Sequence, residues 1–126
     1  MNFMKNVKLL NKWVGDGFPC YSIAEIGGSF QNLEEAKRLI DSISDIDVDA
    51  IKFQTLEADT ITIKNNFFDM EATGKVSQYD TFKKFELSKI LQKQVVDYAK
   101  DMGQVIFTAP SHIDDLKTID ELDVPI

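Results

Sequence analysis

Short β-forming runs alternate with stretches of helical apolar spacing along this chain, and that alternation constrains its fold more than any other feature. The β-forming runs are residues 21–26, 48–54 and 104–109. Apolar residues recur at helical spacing over 33–43 and again over 91–102. Because strands that alternate with helices are expected to pair in parallel through right-handed crossovers, the sequence predicts an α/β fold.

Local signals indicate where the helices begin. Asn32 and Ser88 precede the first two helical stretches and are predicted to be their N-caps. Ser111, which is followed three residues later by an aspartate, predicts the start of a last helix in the same way. By contrast, residues 56–86 are polar and lack a clean period, so they are predicted to form a long ordered loop, which is usually functional.

Two polar side chains in the second β-forming run distinguish between the two architectures that this order allows. Lys52 and Gln54 are two residues apart, so both point to the same face of a strand. An open sheet packs apolar residues on both faces, whereas the mouth of a closed barrel accepts polar residues near the carboxyl ends of its strands. The sequence therefore favours the N-terminal portion of a (β/α)8 TIM barrel, with about three of the eight strands.

The predicted domain organisation follows from this architecture. Residues 1–126 are expected to form a single partial barrel domain, preceded by a short β-hairpin-like N-terminal extension over residues 1–19. A complete barrel takes about 250 residues, so the C-terminal half of the barrel is expected to be absent from this chain.

The charge and the scarcity of certain residue types exclude several classes of function. The chain carries 14 Lys+Arg against 21 Asp+Glu, a formal net charge of −7, so neither nucleic acid nor an anionic membrane is an expected partner. Cys20 and His112 are the only residues of their types, which excludes an internal disulfide and any site with two histidine ligands from this chain. Neither a secretory signal nor an apolar run of roughly 18 residues is found, so a cytoplasmic protein is expected.

Five short motifs carry further information because of their order and spacing. They are residues 23–27 (IAEIG), 33–40 (LEEAKRLI), 49–55 (DAIKFQT), 81–88 (TFKKFELS) and 106–110 (IFTAP). In this order the chain resembles the N-terminal part of the sialic acid synthase family, from about Gly15 onward. The pairing of AEIG with KFQT is the most specific part of the resemblance.

The resemblance implies a transferase that forms a carbon–carbon bond. In that family a (β/α)8 barrel condenses phosphoenolpyruvate with an N-acylated amino sugar and releases phosphate. Carbon 3 of phosphoenolpyruvate attacks the sugar aldehyde, and water then attacks the resulting oxocarbenium ion, which gives a nine-carbon sialic-acid-type 2-keto acid. A divalent metal, manganese or magnesium, activates the aldehyde, and its ligands are expected outside this chain. Family members are homo-oligomers, usually dimers, with a C-terminal antifreeze-like domain that is expected to be absent here.

Carried over motif by motif, the resemblance assigns roles to individual residues. Glu25 is the predicted catalytic residue, which positions the sugar or assists as a general acid or base. Lys52 is predicted to bind the phosphate or carboxylate of phosphoenolpyruvate, and Gln54 to hydrogen-bond the amino sugar. The alternatives are a solvated Glu25, a Lys52 whose ammonium group extends to solvent, and a Gln54 that satisfies a neighbouring backbone group.

Two departures from the family pattern limit what the resemblance implies. Ala109 occupies the position of a family threonine, so Thr108 or Ser111 is predicted to supply the missing phosphoenolpyruvate contact. Residues 28–30 read Gly-Ser-Phe where the family commonly has a further residue and then Asn-His, which leaves the identity of the amino sugar open. A related phosphoenolpyruvate-dependent keto-sugar acid synthase is therefore an alternative. So is an inactive fragment or binding module that associates through unpaired strand edges.

Overall fold

The structure, a computed structural model, describes residues 5–126 and begins with a small antiparallel hairpin. The hairpin lies within the predicted extension 1–19, whose first four residues are outside the described range. The elements in chain order are β1 (Val7–Leu9), β2 (Lys12–Val14), β3 (Ile23–Glu25), α1 (Leu33–Ser44), β4 (Ala50–Thr55), α2 (Ala58–Ile61), β5 (Phe67–Met70), β6 (Gly74–Ser77), α3 (Gln78–Phe85), α4 (Lys89–Asp101), β7 (Ile106–Pro110) and α5 (Asp115–Glu121).

A parallel sheet of three strands forms the centre of the fold, in the order β3-β4-β7. Each strand lies within or next to one of the three predicted β-forming runs, and helices connect consecutive strands, so the predicted α/β fold is confirmed. The register pairs Glu25 with Lys52 and Gln54 with Ala109. The carboxyl ends of all three strands therefore meet at one edge of the sheet.

The first two predicted helix starts are confirmed. At the start of α1 the Asn32 side chain accepts the N–H of Glu35 at 3.0 Å, and at the start of α4 the Ser88 hydroxyl accepts the N–H of Leu91 at 3.1 Å. These bonds satisfy N–H groups that the first turn of a helix leaves without partners. Among residues 5–126, no helix combines the length and the apolar character that crossing a bilayer requires.

The hydrophobic core lies on one face of the sheet, between the strands and the helices. Ile51 and Phe53 of β4 are fully buried there, while the alternating residues of the same strand point to the opposite face. The core is completed by buried residues from β7, α1, α4 and the loop after β3, and by the residue that follows α5. These residues are Ile26, Phe30, Ala36, Ile40, Val95, Val96, Ala99, Ile106 and Leu122.

The predicted long loop over residues 56–86 is wrong. This segment, here called the excursion, contains α2, the hairpin formed by β5 and β6, and α3. Its elements are short, and α2 and β5 each have only four residues, which is too few to show a hydrophobic period in the sequence. One local signal in the sequence could have indicated the start of α3. Ser77 caps this helix by accepting the N–H of Asp80 at 3.2 Å.

The predicted start of the last helix is also wrong. α5 begins at Asp115, and Ser111 does not cap it. Instead, the buried Asp115 carboxylate accepts the backbone N–H groups of Ser111 at 2.9 Å and His112 at 2.8 Å. The carboxylate thereby holds residues 111–114 in a turn before the helix, because it binds N–H groups four and three residues earlier in the chain.

An ion pair at the opposite end of the sheet ties the hairpin to β4. Lys12 of β2 pairs with Asp49, and the Asp49 carboxylate also accepts the N–H of Ser22 at 2.7 Å. The Lys12 ammonium and the Ser22 N–H stabilise the ionised carboxylate, so they hold the pKa of Asp49 below its ordinary value.

This lowered pKa predicts a pH-dependent stability. A carboxyl group with a depressed folded-state pKa contributes stability above its unfolded pKa, about 3.9, and loses it as the pH falls through the folded-state value. We therefore expect Asp49→Asn to lower the free energy of unfolding at pH 7, with the difference from the parent chain shrinking below about pH 4. Urea denaturation at a series of pH values measures this. Asp101→Asn, at an exposed position, is the control, and a difference that stays constant down to pH 2 would contradict the prediction.

Candidate active site

Polar side chains from β3 and β4 lie on the face of the sheet opposite the helix-covered core. On β4, Lys52 and Gln54 alternate with the core residues and are half-buried on this face. Parallel register places Glu25 level with Lys52 on the neighbouring strand. The structure therefore brings together the three residues that were predicted to contact substrate from β3 and β4.

The Glu25 carboxylate is held at both oxygens. Oε2 lies 2.5 Å from Nζ of Lys52, and Oε1 accepts the backbone N–H of Gly27 at 2.7 Å. The two side chains keep 30% and 40% of their surfaces exposed, for Lys52 and Glu25 respectively. Exposed ion pairs of this kind contribute only about 0–1 kcal/mol to stability. An incoming anion can therefore replace the carboxylate as the partner of Lys52 at little cost.

Gln54 lies one level nearer the carboxyl edge and has small residues on both sides. It is level with Ala109 of β7, and its side chain lies against Gly27 of the loop after β3. Neither of these neighbours has a side chain larger than a methyl group, and the Gln54 amide carries both a donor and an acceptor. Such an amide suits a ligand with hydroxyl or acylamino groups.

The structure does not bring Thr108 to this surface. Thr108 is level with Phe53 on β7, so its side chain points to the helix-covered face and is 4% exposed. Its hydroxyl lies 2.8 Å from the Thr55 hydroxyl and 3.3 Å from the Phe53 carbonyl oxygen. Ser111, in contrast, is exposed just beyond the carboxyl end of β7, where its N–H also donates to the Thr55 carbonyl oxygen at 3.2 Å.

A buried polar network that sequence reasoning missed joins the strand ends to α4. The Thr55 hydroxyl donates to Oε1 of Gln92 at 2.8 Å, and Nε2 of Gln92 donates to the Leu87 carbonyl oxygen at 2.9 Å. Gln92 is 3% exposed and shares a helical face with Val95 and Ala99, which face the core. A polar residue at a core position of α4 was the signal that could have revealed it. The network fixes the backbone that carries Gln54.

Loss of this network predicts a measurable destabilisation. Gln92→Leu removes one of two partners of the Thr55 hydroxyl and the donor to the Leu87 carbonyl, so we expect a loss of about 1–3 kcal/mol in unfolding free energy. Gln94→Leu, on the exposed side of the same helix, should change it by less than about 0.5 kcal/mol. Denaturant titration followed by circular dichroism measures both, and equal values for the two variants would contradict the prediction.

The excursion lies against the loop that follows β3. A Cβ on Gly28 would lie 3.7 Å from the Phe85 ring of α3. At the base of the excursion the Glu86 carboxylate accepts the N–H of Ala58 at 2.7 Å and pairs with Lys83 at 2.9 Å. The hydrogen bond with Glu86 raises the pKa of Lys83, so this lysine stays protonated over the physiological range. These contacts hold the excursion beside the carboxyl edge of the sheet.

At residues 28–30, where the sequence departs from the family pattern, the third residue is part of the hydrophobic core. Phe30 is 2% exposed, and its ring contacts that of Phe53 edge to face with centroids 6.4 Å apart. It therefore belongs to the core and does not reach the polar face.

The described residues do not fit the divalent metal that the resemblance implies. Within residues 5–126 there is no group of three or more His, Cys, Asp or Glu side chains arranged to hold a metal ion. The Glu25 carboxylate forms an ion pair with Lys52. No chemical step is therefore assigned to a metal held by these residues.

Comparison with known families shows which family this chain belongs to. A family model described as NeuB family matches residues 39–126, which is more than half of the chain and includes β4 and β7. The chain belongs to the NeuB family. The predicted resemblance to sialic acid synthases is thereby confirmed, because the proteins similar to this NeuB-family chain include an N-acetylneuraminate-9-phosphate synthase and a sialic acid synthetase.

Two curated relatives show how much of each chain the similarity covers. N-acetylneuraminate-9-phosphate synthase of Mus musculus is 32% identical over 121 residues, covering 90% of this chain and 33% of the relative. Spore coat polysaccharide biosynthesis protein SpsE of Bacillus subtilis is 33% identical over 106 residues, covering 82% and 28%. The NeuB-family chain thus spans about a third of the length of the curated relatives it matches.

A solved structure agrees with the fold. The N-acetylneuraminic acid (sialic acid) synthetase from Leptospira borgpetersenii, crystallised in complex with citrate, superposes with a TM-score of 0.67 at 24% identity. The alignment covers 95% of this chain and 39% of that structure. At this identity the likeness establishes a shared α/β fold.

Proposed function

We propose that this NeuB-family chain supplies part of the active site of a phosphoenolpyruvate-dependent sugar-acid synthase. The observation that carries the proposal is the cluster of Glu25, Lys52 and Gln54 on the uncovered face, at the carboxyl ends of parallel strands. Chemistry gathers at those ends in α/β folds. The reaction would join carbon 3 of phosphoenolpyruvate to the aldehyde carbon of an N-acylated amino sugar, with water consumed and phosphate released.

Each residue of the cluster has a role that its contacts support. Lys52 would exchange Glu25 for the phosphate or carboxylate of phosphoenolpyruvate, because a charge-assisted bond to a dense anion is stronger than an exposed ion pair. Glu25, released from Lys52 and still held by Gly27, would position the sugar or take part in proton transfer. Gln54 would hydrogen-bond the acylamino or hydroxyl groups of the sugar, and Ser111 would contact phosphoenolpyruvate from the end of β7.

The rest of the proposed enzyme would lie outside the described residues. The sheet would be the first three strands of a (β/α)8 barrel, with the helices outside and the polar side chains of β3 and β4 inside. A manganese or magnesium ion would activate the aldehyde, with ligands from the later strands. The resemblance further implies a homo-oligomer with an antifreeze-like domain, and a cytoplasmic location stays part of the proposal.

A second candidate function rests on the two outer strands of the sheet, β3 and β7. β3 and β7 are each paired on one side only within residues 5–126, and exposed apolar residues such as Ile23 and Leu116 lie nearby. Unpaired edges favour association with another chain, so an inactive binding module that associates with a partner is the alternative.

Sugar-dependent phosphate release tests the proposed function. The full-length protein is incubated with phosphoenolpyruvate, manganese or magnesium, and a panel of N-acylated amino sugars, free and phosphorylated. We expect phosphate to be released only with a suitable sugar, in equal amounts with a nine-carbon 2-keto acid identified by mass spectrometry. A product of different length would indicate the related keto-sugar acid synthase. A folded protein that releases no phosphate across the whole panel would contradict the proposal and favour the binding module.

A further inference from the structure

Gly27 lies where the functional groups of the proposed site meet. Its backbone N–H donates to Oε1 of Glu25 at 2.7 Å. A Cβ on this residue would lie 2.7 Å from the same oxygen, 2.9 Å from Cγ of Gln54 and 3.0 Å from its Cδ. The first two distances are shorter than Cβ atoms tolerate, so any side chain here would displace Glu25 or Gln54.

Backbone conformation does not explain the glycine. Gly28, the next residue, has a φ of +72°, which favours glycine for conformational reasons, whereas Gly27 is not among the residues with positive φ. An alanine at position 27 would thus adopt the backbone without strain. What excludes a larger residue is the space that the Glu25 and Gln54 side chains occupy.

We propose that Gly27 is a positioning residue for the sugar side of the site. Its N–H holds one oxygen of Glu25 while Lys52 holds the other, and its missing side chain lets the Gln54 side chain lie alongside the carboxylate. The catalytic consequence rests on the proposed function, but the positioning itself does not. Gly27 acts through Glu25 and Gln54 and contacts no reacting atom.

The geometry predicts which kinetic constant changes. Glu25 and Gln54 are the proposed partners of the sugar, whereas Lys52 is the proposed partner of phosphoenolpyruvate. Gly27→Ala should therefore lower kcat by roughly 10- to 100-fold, as expected when reacting groups are misplaced by about 1 Å. The KM for phosphoenolpyruvate should change by less than about 3-fold, because uniform binding of that substrate is kept. Because a smaller folded fraction would also lower the apparent kcat without changing KM, kcat is calculated per mole of folded protein.

The experiment compares Gly27→Ala with Gly103→Ala in the full-length protein. Gly103 has a φ of +75° and open space around its Cα, so alanine there strains the backbone far from the site. Thermal melting, kcat and KM for both substrates, and a crystal structure of Gly27→Ala are measured. We expect Gly103→Ala to melt earlier with normal kinetic constants. We expect Gly27→Ala to show the kcat loss, with the Glu25 carboxylate moved away from its position beside Lys52.

The outcomes separate this inference from the proposed function. If the wild-type protein condenses sugars but Gly27→Ala retains its kcat, the inference is overturned and the function stands. If the wild-type protein is inactive with every sugar, the function fails, and the crystal structure alone decides the inference. An unmoved Glu25 carboxylate would overturn it. So would a Gly27→Ala protein that cannot fold, because that would make the role structural.

Discussion

Replacing Lys52 by methionine should reduce kcat/KM for phosphoenolpyruvate by roughly 100-fold or more in the full-length protein, while the protein stays folded. Methionine keeps the apolar stem of the side chain and removes only the charge. A charge-assisted bond to the phosphate or carboxylate is worth up to about 3 kcal/mol, and each 1.36 kcal/mol corresponds to a tenfold change in rate. Because the ion pair with Glu25 is partly exposed, losing it should cost the fold little.

A matched lysine controls for the loss of charge. Lys93 of α4 also forms an ion pair, with Asp97, but on the outer surface of the helix layer. Lys93→Met should leave kcat/KM within about 2-fold, since surface pairs far from a site contribute little. Saturation curves for phosphoenolpyruvate measure both variants. A Lys52→Met protein with the same saturation curve as the wild type would remove Lys52 from the proposed site.

Replacing Phe53 by alanine should cost about 3–5 kcal/mol of unfolding free energy, the largest effect on stability that we expect in this chain. Phe53 has no exposed surface, contacts Phe30 edge to face, and lies at the centre of the core between β4 and the helices. The lost ring leaves a cavity that the surrounding side chains fill only in part. Since a domain of this size has a total stability of about 5–15 kcal/mol, the loss amounts to at least about a fifth of it.

Two further variants keep this prediction measurable. Phe53→Leu leaves a smaller cavity and should cost less than alanine, so it reports on the site even if the alanine variant unfolds. Phe67→Ala, at a position 49% exposed on the hairpin of the excursion, should cost less than about 1 kcal/mol. Denaturant unfolding of each variant measures the differences. A cost for Phe53→Ala no larger than for Phe67→Ala would mean that the core lies elsewhere.

Local signals account for what the sequence predicted correctly. The caps at Asn32 and Ser88 involve residues only three apart, so their hydrogen bonds form whenever the helix does. The alternation of Lys52 and Gln54 with Ile51 and Phe53 likewise depends only on the twofold period of a strand. These short-range rules predicted α1, α4, the three parallel strands and one polar face of β4.

Contacts between residues that are far apart in the chain account for what the sequence did not predict correctly. Ile106 and Phe107 are both apolar, so β7 by itself does not show which of its faces meets the core, and the predicted role of Thr108 depended on that choice. Pairing of Phe53 with Thr108 turned the threonine hydroxyl toward the helices. The elements of the excursion are too short to show a hydrophobic period in the sequence. They are stabilised by contacts between the hairpin and the helices, which the sequence does not reveal.

The sequence by itself determined the order of strands and helices, the family resemblance, and the residue types available for binding an anion and a polar sugar. Only the tertiary structure decided that Glu25 joins Lys52 and Gln54 on one surface, and that Gly27 leaves room for the Glu25 and Gln54 side chains. It also decided that Asp115, rather than Ser111, organises the turn after β7. The physical reason is that periodicity and capping act over a few residues, whereas strand register and side-chain packing join residues that are tens of positions apart in the chain.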